Sequence, residues 1–212
     1  NRYFKYYEHR DMLGAFEAID RVEARFAECF GRAYTGPVEA VSCDDAEAVL
    51  VTLGSIAGLA RESVARLREQ GKRVGLLRVR YMRPFPAKLI AEALARAAAV
   101  GVLEKDISFG AEGTVFTNVN SALQQAGCTT PTFNFIGGLG GDDITSAQMD
   151  AMFDALLDSA GERGSDDAAA GRSCDDASTG QGAGLGRVSF LGIDFPAASQ
   201  PACGDDCEEG AR

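Results

Sequence analysis

Four short apolar runs recur through the middle of the chain: Ala48–Leu53, Val74–Val79, Ala98–Leu103 and Pro131–Ile136. Each is about six residues and carries few charges, the pattern of a strand buried on both faces. Helical periodicity fills the intervals. Ile56, Ala60, Val64 and Leu67 share one face, then Leu89, Ile90, Ala93 and Leu94, then Val115, Val119 and Leu123. Strands alternating with helices predict an α/β fold, a mostly parallel sheet with right-handed crossovers and helices on both faces. Gly71 and Gly127 stand where helices should end. Arg83-Pro84-Phe85-Pro86 breaks the second strand and starts a helix at Pro86. Thr145 with Gln148 three residues on predicts a capping box for a last helix bearing Met149, Met152, Phe153 and Leu156.

The flanks read differently. Met12, Phe16, Ile19, Phe26 and Phe30 fall on one stripe and predict a single long amphipathic helix, closed by Gly31 and Gly36-Pro37, with Tyr3, Phe4, Tyr6 and Tyr7 crowding its start. From Ser159 to Gly186 the chain is Gly, Ala, Ser and Asp with almost no large apolar residue, a composition that predicts disorder. A short edge strand is expected at 188–193. The expected organisation is a helical leader over 1–40, the α/β domain over 41–158 and an acidic, mostly disordered tail over 159–212. Because the chain opens on Asn1 without a Met, it is expected to be a piece of a longer polypeptide.

Charge and cysteine usage narrow the function. The net charge is −10, and the residues from Asp158 onward hold 11 acidic and 4 basic side chains. Nucleic acid is not expected as a partner, since phosphate binding needs clustered Lys and Arg. No apolar run approaches the roughly 20 residues of a membrane-spanning helix, and no signal peptide opens the chain. The six cysteines are scattered, with only Cys203 and Cys207 close together, so free thiols are expected rather than a metal or disulfide framework.

Ligands of open α/β sheets sit at the carboxyl ends of the strands, and three loops there stand out. Gly54-Ser55 precedes a helix whose N–H groups could hold a phosphate or carboxylate, although Ser55 serves equally as its cap. Gly137-Gly138-Leu139-Gly140-Gly141, ahead of Asp142-Asp143, is a poor dinucleotide fingerprint and reads better as a tight turn or protein contact. Glu104, Lys105 and Asp106, before Ser108-Phe109-Gly110, are expected to pair locally. Gly54, Ser55, Gly138, Gly140 and Gly141 are thus candidate ligand or interface positions. No catalytic or metal-ligating residue is assigned: Ser55 is a residue out of register for a G-x-S-x-G elbow, and His9 is the lone histidine.

Five segments in order carry a resemblance. They are Val51-Thr52-Leu53-Gly54-Ser55-Ile56-Ala57-Gly58, Val74 to Arg80, Arg83-Pro84-Phe85-Pro86, Ile107-Ser108-Phe109-Gly110-Ala111-Glu112-Gly113, and Phe135 to Thr145. Together, over roughly Tyr3 to Leu157, they resemble the region following the thiamine-pyrimidine domain in the alpha subunit of pyruvate and related 2-oxoacid:ferredoxin oxidoreductases. That resemblance implies a fold like the transketolase C-terminal domain and a structural, subunit-contact role. The implied parent enzyme decarboxylates a 2-oxoacid, pyruvate before others, on thiamine diphosphate with Mg2+, passes electrons through iron–sulfur clusters to ferredoxin, and forms an acyl-CoA. The family holds the diphosphate with a Gly-Asp-Gly motif and the clusters with cysteine runs on other domains or subunits. This chain has neither, so no cofactor is expected to bind it.

The implied partners are the preceding thiamine-pyrimidine domain, beta, gamma and delta-type subunits or domains, and ferredoxin through the complex; the implied location is the cytoplasm of an anaerobe. Two positions depart from the family: Asp142 stands where Arg is frequent, and Glu104-Lys105 where Asp-Arg is common. Three alternatives stay open at this point: the C-terminal domain of another thiamine-dependent enzyme, an independent anion- or nucleotide-binding α/β module, and an interaction domain with an acidic tail.

Overall fold

The computed structural model describes residues 1–34, 36–164 and 188–191. Two helices, α1 (Arg2–Leu13) and α2 (Ala15–Phe30), lead into a strand β1 (Val38–Val41). There follow β2 (Ala48–Leu53), α3 (Ile56–Glu69), β3 (Val74–Val79), α4 (Ala87–Leu94), β4 (Ala99–Glu104), α5 (Thr114–Gln125), β5 (Thr132–Ile136), a 3₁₀ turn (Leu139–Gly141), α6 (Ser146–Gly164) and β6 (Val188–Phe190). The strands form one sheet in the order β1-β3-β2-β4-β5-β6. β1 runs antiparallel to β3, and every other pairing is parallel. The expected α/β sheet, mostly parallel and covered by helices, is therefore what the chain builds.

Alternation along each buried strand splits its side chains between two cores. Val49, Val51, Leu77, Val79, Val100 and Val102 pack with Ile90 and Leu94 of α4 and Val115, Phe116, Val119 and Leu123 of α5. Leu50, Leu76, Leu103 and Phe135 face the opposite way, onto Ala60, Val64 and Leu67 of α3 and Met149, Met152, Phe153 and Leu156 of α6. Gly101 in β4 permits this second layer to close. A Cβ there would lie 2.8 Å from both Leu156 Cδ1 and Phe135 Cε2, inside van der Waals contact.

Four local expectations change. The leader is divided at Gly14, whose backbone stays helical (φ −67°, ψ −12°) but interrupts the helix between α1 and α2. None of its residues is fully buried. β1 was not expected, because Val-Glu-Ala-Val is too short to show a pattern; antiparallel pairing with β3 makes it a strand. β4 includes Glu104, one residue beyond the expected apolar run. α6 continues through Gly164, so 159–164 are helical where the composition predicts disorder. Within the expected 188–193 a three-residue strand, β6, pairs parallel with β5, and residues 192 and 193 lie outside the described residues. The remainder of the tail, with Cys174, Cys203 and Cys207, lies outside the described residues.

A partly buried ion pair moors the leader to the domain. Arg80, just past β3, bonds Glu23 of α2 at 2.9 Å and the Gly36 carbonyl at 2.5 Å. Its guanidinium lies over the rings of Tyr34 and Tyr81, 4.5 and 5.2 Å from their centroids. The Tyr81 hydroxyl donates to the same Glu23 carboxylate at 2.6 Å. Burial works to raise the Glu23 pKa, but the bonds from Tyr81 and Arg80 outweigh it and hold the carboxyl below its ordinary value.

Candidate functional site: the carboxyl-end cleft

From β2 the chain passes through α3 to β3 on one side, then through α4 back across to β4 on the other. The loops after β2 and β4 therefore part at the topological switch point, where open α/β sheets form their ligand crevice. A cleft of about 410 Å³ lies there, lined by Leu53, Gly54, Ser55, Ile56, Met82, Glu104, Lys105, Asp106, Thr114 and Val115. A larger hollow, about 500 Å³, runs between α4 and α5 but is walled mainly by alanines (Ala87, Ala91, Ala95, Ala122, Ala126). Its polar side chains, Lys88, Glu92 and Gln125, come from exposed helix surface rather than from strand ends, so the smaller cleft at the switch point is the stronger candidate.

Gly54 makes the turn out of β2 with φ +76°, a conformation that glycine adopts without strain. Ser55 follows with helical backbone angles (φ −70°, ψ −27°) and makes no side-chain capping bond to α3. The cap expected of Ser55 fails because a residue already helical cannot turn its hydroxyl back onto the first free N–H groups. Its side chain faces the cleft instead.

Across the cleft, the charged triplet does not pair within itself. Glu104, only 3% exposed, turns inward from the end of β4. Its carboxylate accepts the Val115 N–H at 2.7 Å and the Phe116 N–H at 3.1 Å, two amides in the first turn of α5. Asn134 Nδ2 donates to it at 2.9 Å, while Asn134 Oδ1 takes the Gly113 N–H at 2.8 Å. Burial pushes the Glu104 carboxyl up, and these bonds pull against it. Gly113 has to be glycine here, because a Cβ would run into the Glu104 carboxylate. Lys105 instead lies over Gly138, whose added Cβ would meet its Cε at 2.7 Å. Asp106 accepts a bond from the Thr114 hydroxyl at 2.5 Å.

The glycine loop stands beside this site, after β5. Gly138, Gly140 and Gly141 all take positive φ (72°, 66° and 90°), so the run is a tight turn that a chain with side chains would strain to make. Among the candidate positions, only Gly54 and Ser55 line the cleft; Gly138 touches it through Lys105, and Gly140 and Gly141 meet nothing within 4 Å of an added Cβ. Sequence reasoning named Glu104 but expected it to pair within its own triplet, and it missed Asn134. A detectable signal existed: an Asn inside the buried run Phe133-Asn134-Phe135 needs a polar partner.

Among the described residues no group of three His, Cys, Asp or Glu could hold a metal ion, and no helix is long and apolar enough to cross a membrane. The described cysteines Cys29, Cys43 and Cys128 are free thiols. Burial pushes Cys43 up to about 11, which keeps it a protonated packing residue at neutral pH.

The profile of the family described as pyruvate:ferredoxin oxidoreductase core domain II matches residues 46–149. Over 148 residues the chain is 41% identical to pyruvate synthase subunit PorA of Methanothermobacter thermautotrophicus, covering 70% of this chain and 37% of that protein. Over 155 residues it is 35% identical to the alpha subunit of the NADH-dependent phenylglyoxylate dehydrogenase of Aromatoleum evansii, covering 71% and 37%. Among solved structures, a split-gene transketolase aligns with 60% of this chain and 43% of its own, at a TM-score of 0.48 and 16% identity. The chain thus spans a little over a third of the length of these curated relatives.

Proposed function

Residues 46–149 belong to the pyruvate:ferredoxin oxidoreductase core domain II family, and from that premise we propose that the chain is the non-catalytic domain of a 2-oxoacid oxidoreductase alpha subunit. In this reading the parent enzyme decarboxylates a 2-oxoacid on thiamine diphosphate and Mg2+, sends electrons through iron–sulfur clusters to ferredoxin, and releases an acyl-CoA. The domain braces the thiamine-binding domain of its own subunit and supplies contacts to the other subunits. The cytoplasm is the proposed location. Pyruvate is the proposed substrate; the substrate and acceptor named for the Aromatoleum relative differ from pyruvate and ferredoxin, so they are the part of the reading to test first.

The observation that carries the non-catalytic assignment is the state of the switch-point cleft. Thiamine diphosphate with Mg2+ does not fit it. A diphosphate needs free donors or a metal-bearing acidic motif, but two first-turn amides of α5 already bond Glu104, and Asp106 adds like charge. No Gly-Asp-Gly occurs in the sequence. Four-cysteine cluster ligation has no counterpart among the three described thiols. The anion-binding module considered above would have to rely on the α3 N-terminus at Gly54-Ser55, which shares the cleft with the Glu104 and Asp106 carboxylates.

The test is complementation. The gene for the whole alpha subunit is co-expressed with its neighbouring subunit genes, with and without residues 46–149. Loss of the assembled complex together with 2-oxoacid-dependent ferredoxin reduction is the expected result. A complex that still contains every subunit and loses only turnover would instead place catalytic groups in this domain and refute the assignment.

A further inference from the structure

We infer that Glu104 is an internal ligand: its carboxylate fills the anion position at the α5 N-terminus and keeps that helix end closed to anionic ligands. The inference concerns this chain's own cleft and does not depend on which enzyme the chain serves. A helix N-terminus presents unsatisfied N–H groups and a partial positive charge, and at the switch point of a doubly wound sheet that end commonly receives a ligand phosphate. Here the Val115 and Phe116 amides point at a side-chain carboxylate of the same chain, 2.7 and 3.1 Å away.

The surroundings are built for that group. Because Asn134 Oδ1 takes the Gly113 N–H, its Nδ2 is left to face Glu104 at 2.9 Å. One carboxylate oxygen thus receives Phe116 and Asn134, and the other receives Val115. No ion pair to Glu104 occurs among the described residues, and Lys105, next in sequence, lies over Gly138. The charge is held by neutral donors and the helix end, as a bound anion is held. Gly113 leaves the space that the carboxylate occupies. Glutamate reaches this point from the last residue of β4, where the apolar run ends.

If the carboxylate is a resident ligand, removing it should open a site for a small planar anion. The test compares thermal unfolding of the native chain, Glu104→Ala and Glu104→Gln in formate and in chloride at equal ionic strength. Glu104→Ala is expected to melt roughly 10 °C lower, and formate at about 0.1 M to restore part of that loss, as binding to the folded state alone does. The native chain and Glu104→Gln, whose amide fills the space, are expected not to respond. Equal responses in all three, no response in Glu104→Ala, or native stability of that variant would overturn the inference.

Should Glu104→Ala fail to fold with and without formate, the amide resonances decide. In the native chain the Val115 and Phe116 N–H signals should shift together as one carboxyl titrates, and in Glu104→Gln that titration should vanish. Unchanged titration in Glu104→Gln would assign it to another group and refute the proposal.

Discussion

Glu104 and Glu23 are both acidic side chains withdrawn from solvent, and they respond to pH in opposite senses. No cation pairs with Glu104 among the described residues, and burial leaves its pKa above that of an unfolded glutamate. Its contribution is therefore most favourable at low pH and declines as pH rises through the folded value. Glu23, bonded by Tyr81 and Arg80, lies below its ordinary value. Its contribution is present above the unfolded glutamate pKa and is lost as pH falls through the lower, folded one. Glu39, bonded first by Arg61, and Asp150, bonded by Arg66, act in the same direction as Glu23. Acid should therefore destabilise the chain, and Glu23→Gln should flatten part of that acid limb while lowering stability at neutral pH. Melting curves from pH 7 to the acid range read both effects, and an unchanged acid limb would remove Glu23 from the account. A second residue tests the polar bookkeeping of the sheet. Thr52 is fully buried in β2, and its hydroxyl has no bonding partner among the described residues. Thr52→Val is expected to be neutral or to raise stability by up to about 1 kcal/mol, measured by denaturant unfolding, because the variant retires an unpaired buried hydroxyl.

Among the elements, β2 to β5 were legible because burial on both faces leaves an apolar run that nothing else in the chain imitates. The last helix was legible for a more local reason. The Thr145 hydroxyl accepts the Gln148 N–H at 3.2 Å, and Gln148 Oε1 returns to the Thr145 N–H at 2.8 Å, the reciprocal bonds the Thr-x-x-Gln spacing predicted. Thr145→Ala should cost about 1 kcal/mol, read in the same denaturant titration. β1 was not legible, since its four residues acquire strand character only from their pairing with β3. The division of the leader was not legible either, because Gly14 keeps a helical backbone and a glycine inside a periodic stretch does not announce an end. The burial of Glu104 and its network escaped for a related reason. A charge just beyond an apolar run reads as surface, and only the path of β5 brings Asn134 beside it. Packing supplies the sharpest prediction at this scale. Gly101→Ala must displace Leu156 or Phe135 between β4 and α6, at an expected cost of about 1–3 kcal/mol. A melting temperature equal to the native one would show that this layer is looser than described.

For the whole molecule, the distribution of burial separates two kinds of surface. The sheet and its four covering helices close on themselves in two cores. The leader leaves Tyr3, Phe4, Tyr6, Tyr7, Leu13, Val22 and Phe30 exposed, and Phe109, 97% exposed, stands at the tip of the loop after β4. A twelve-residue helix that buries nothing is marginal in water, so α1 amides should exchange hydrogen far faster than those of β2 and β4 in the isolated chain. Comparable protection in α1 would contradict the division between an ordered domain and an exposed leader. If the domain braces a thiamine enzyme without holding its cofactors, as proposed, the isolated chain should ignore them. Calorimetric titration of the isolated chain with thiamine diphosphate and Mg2+, and in parallel with CoA, tests it most directly. No saturable heat is expected up to millimolar ligand; a saturable isotherm with a micromolar Kd for either ligand would overturn the proposed non-catalytic role.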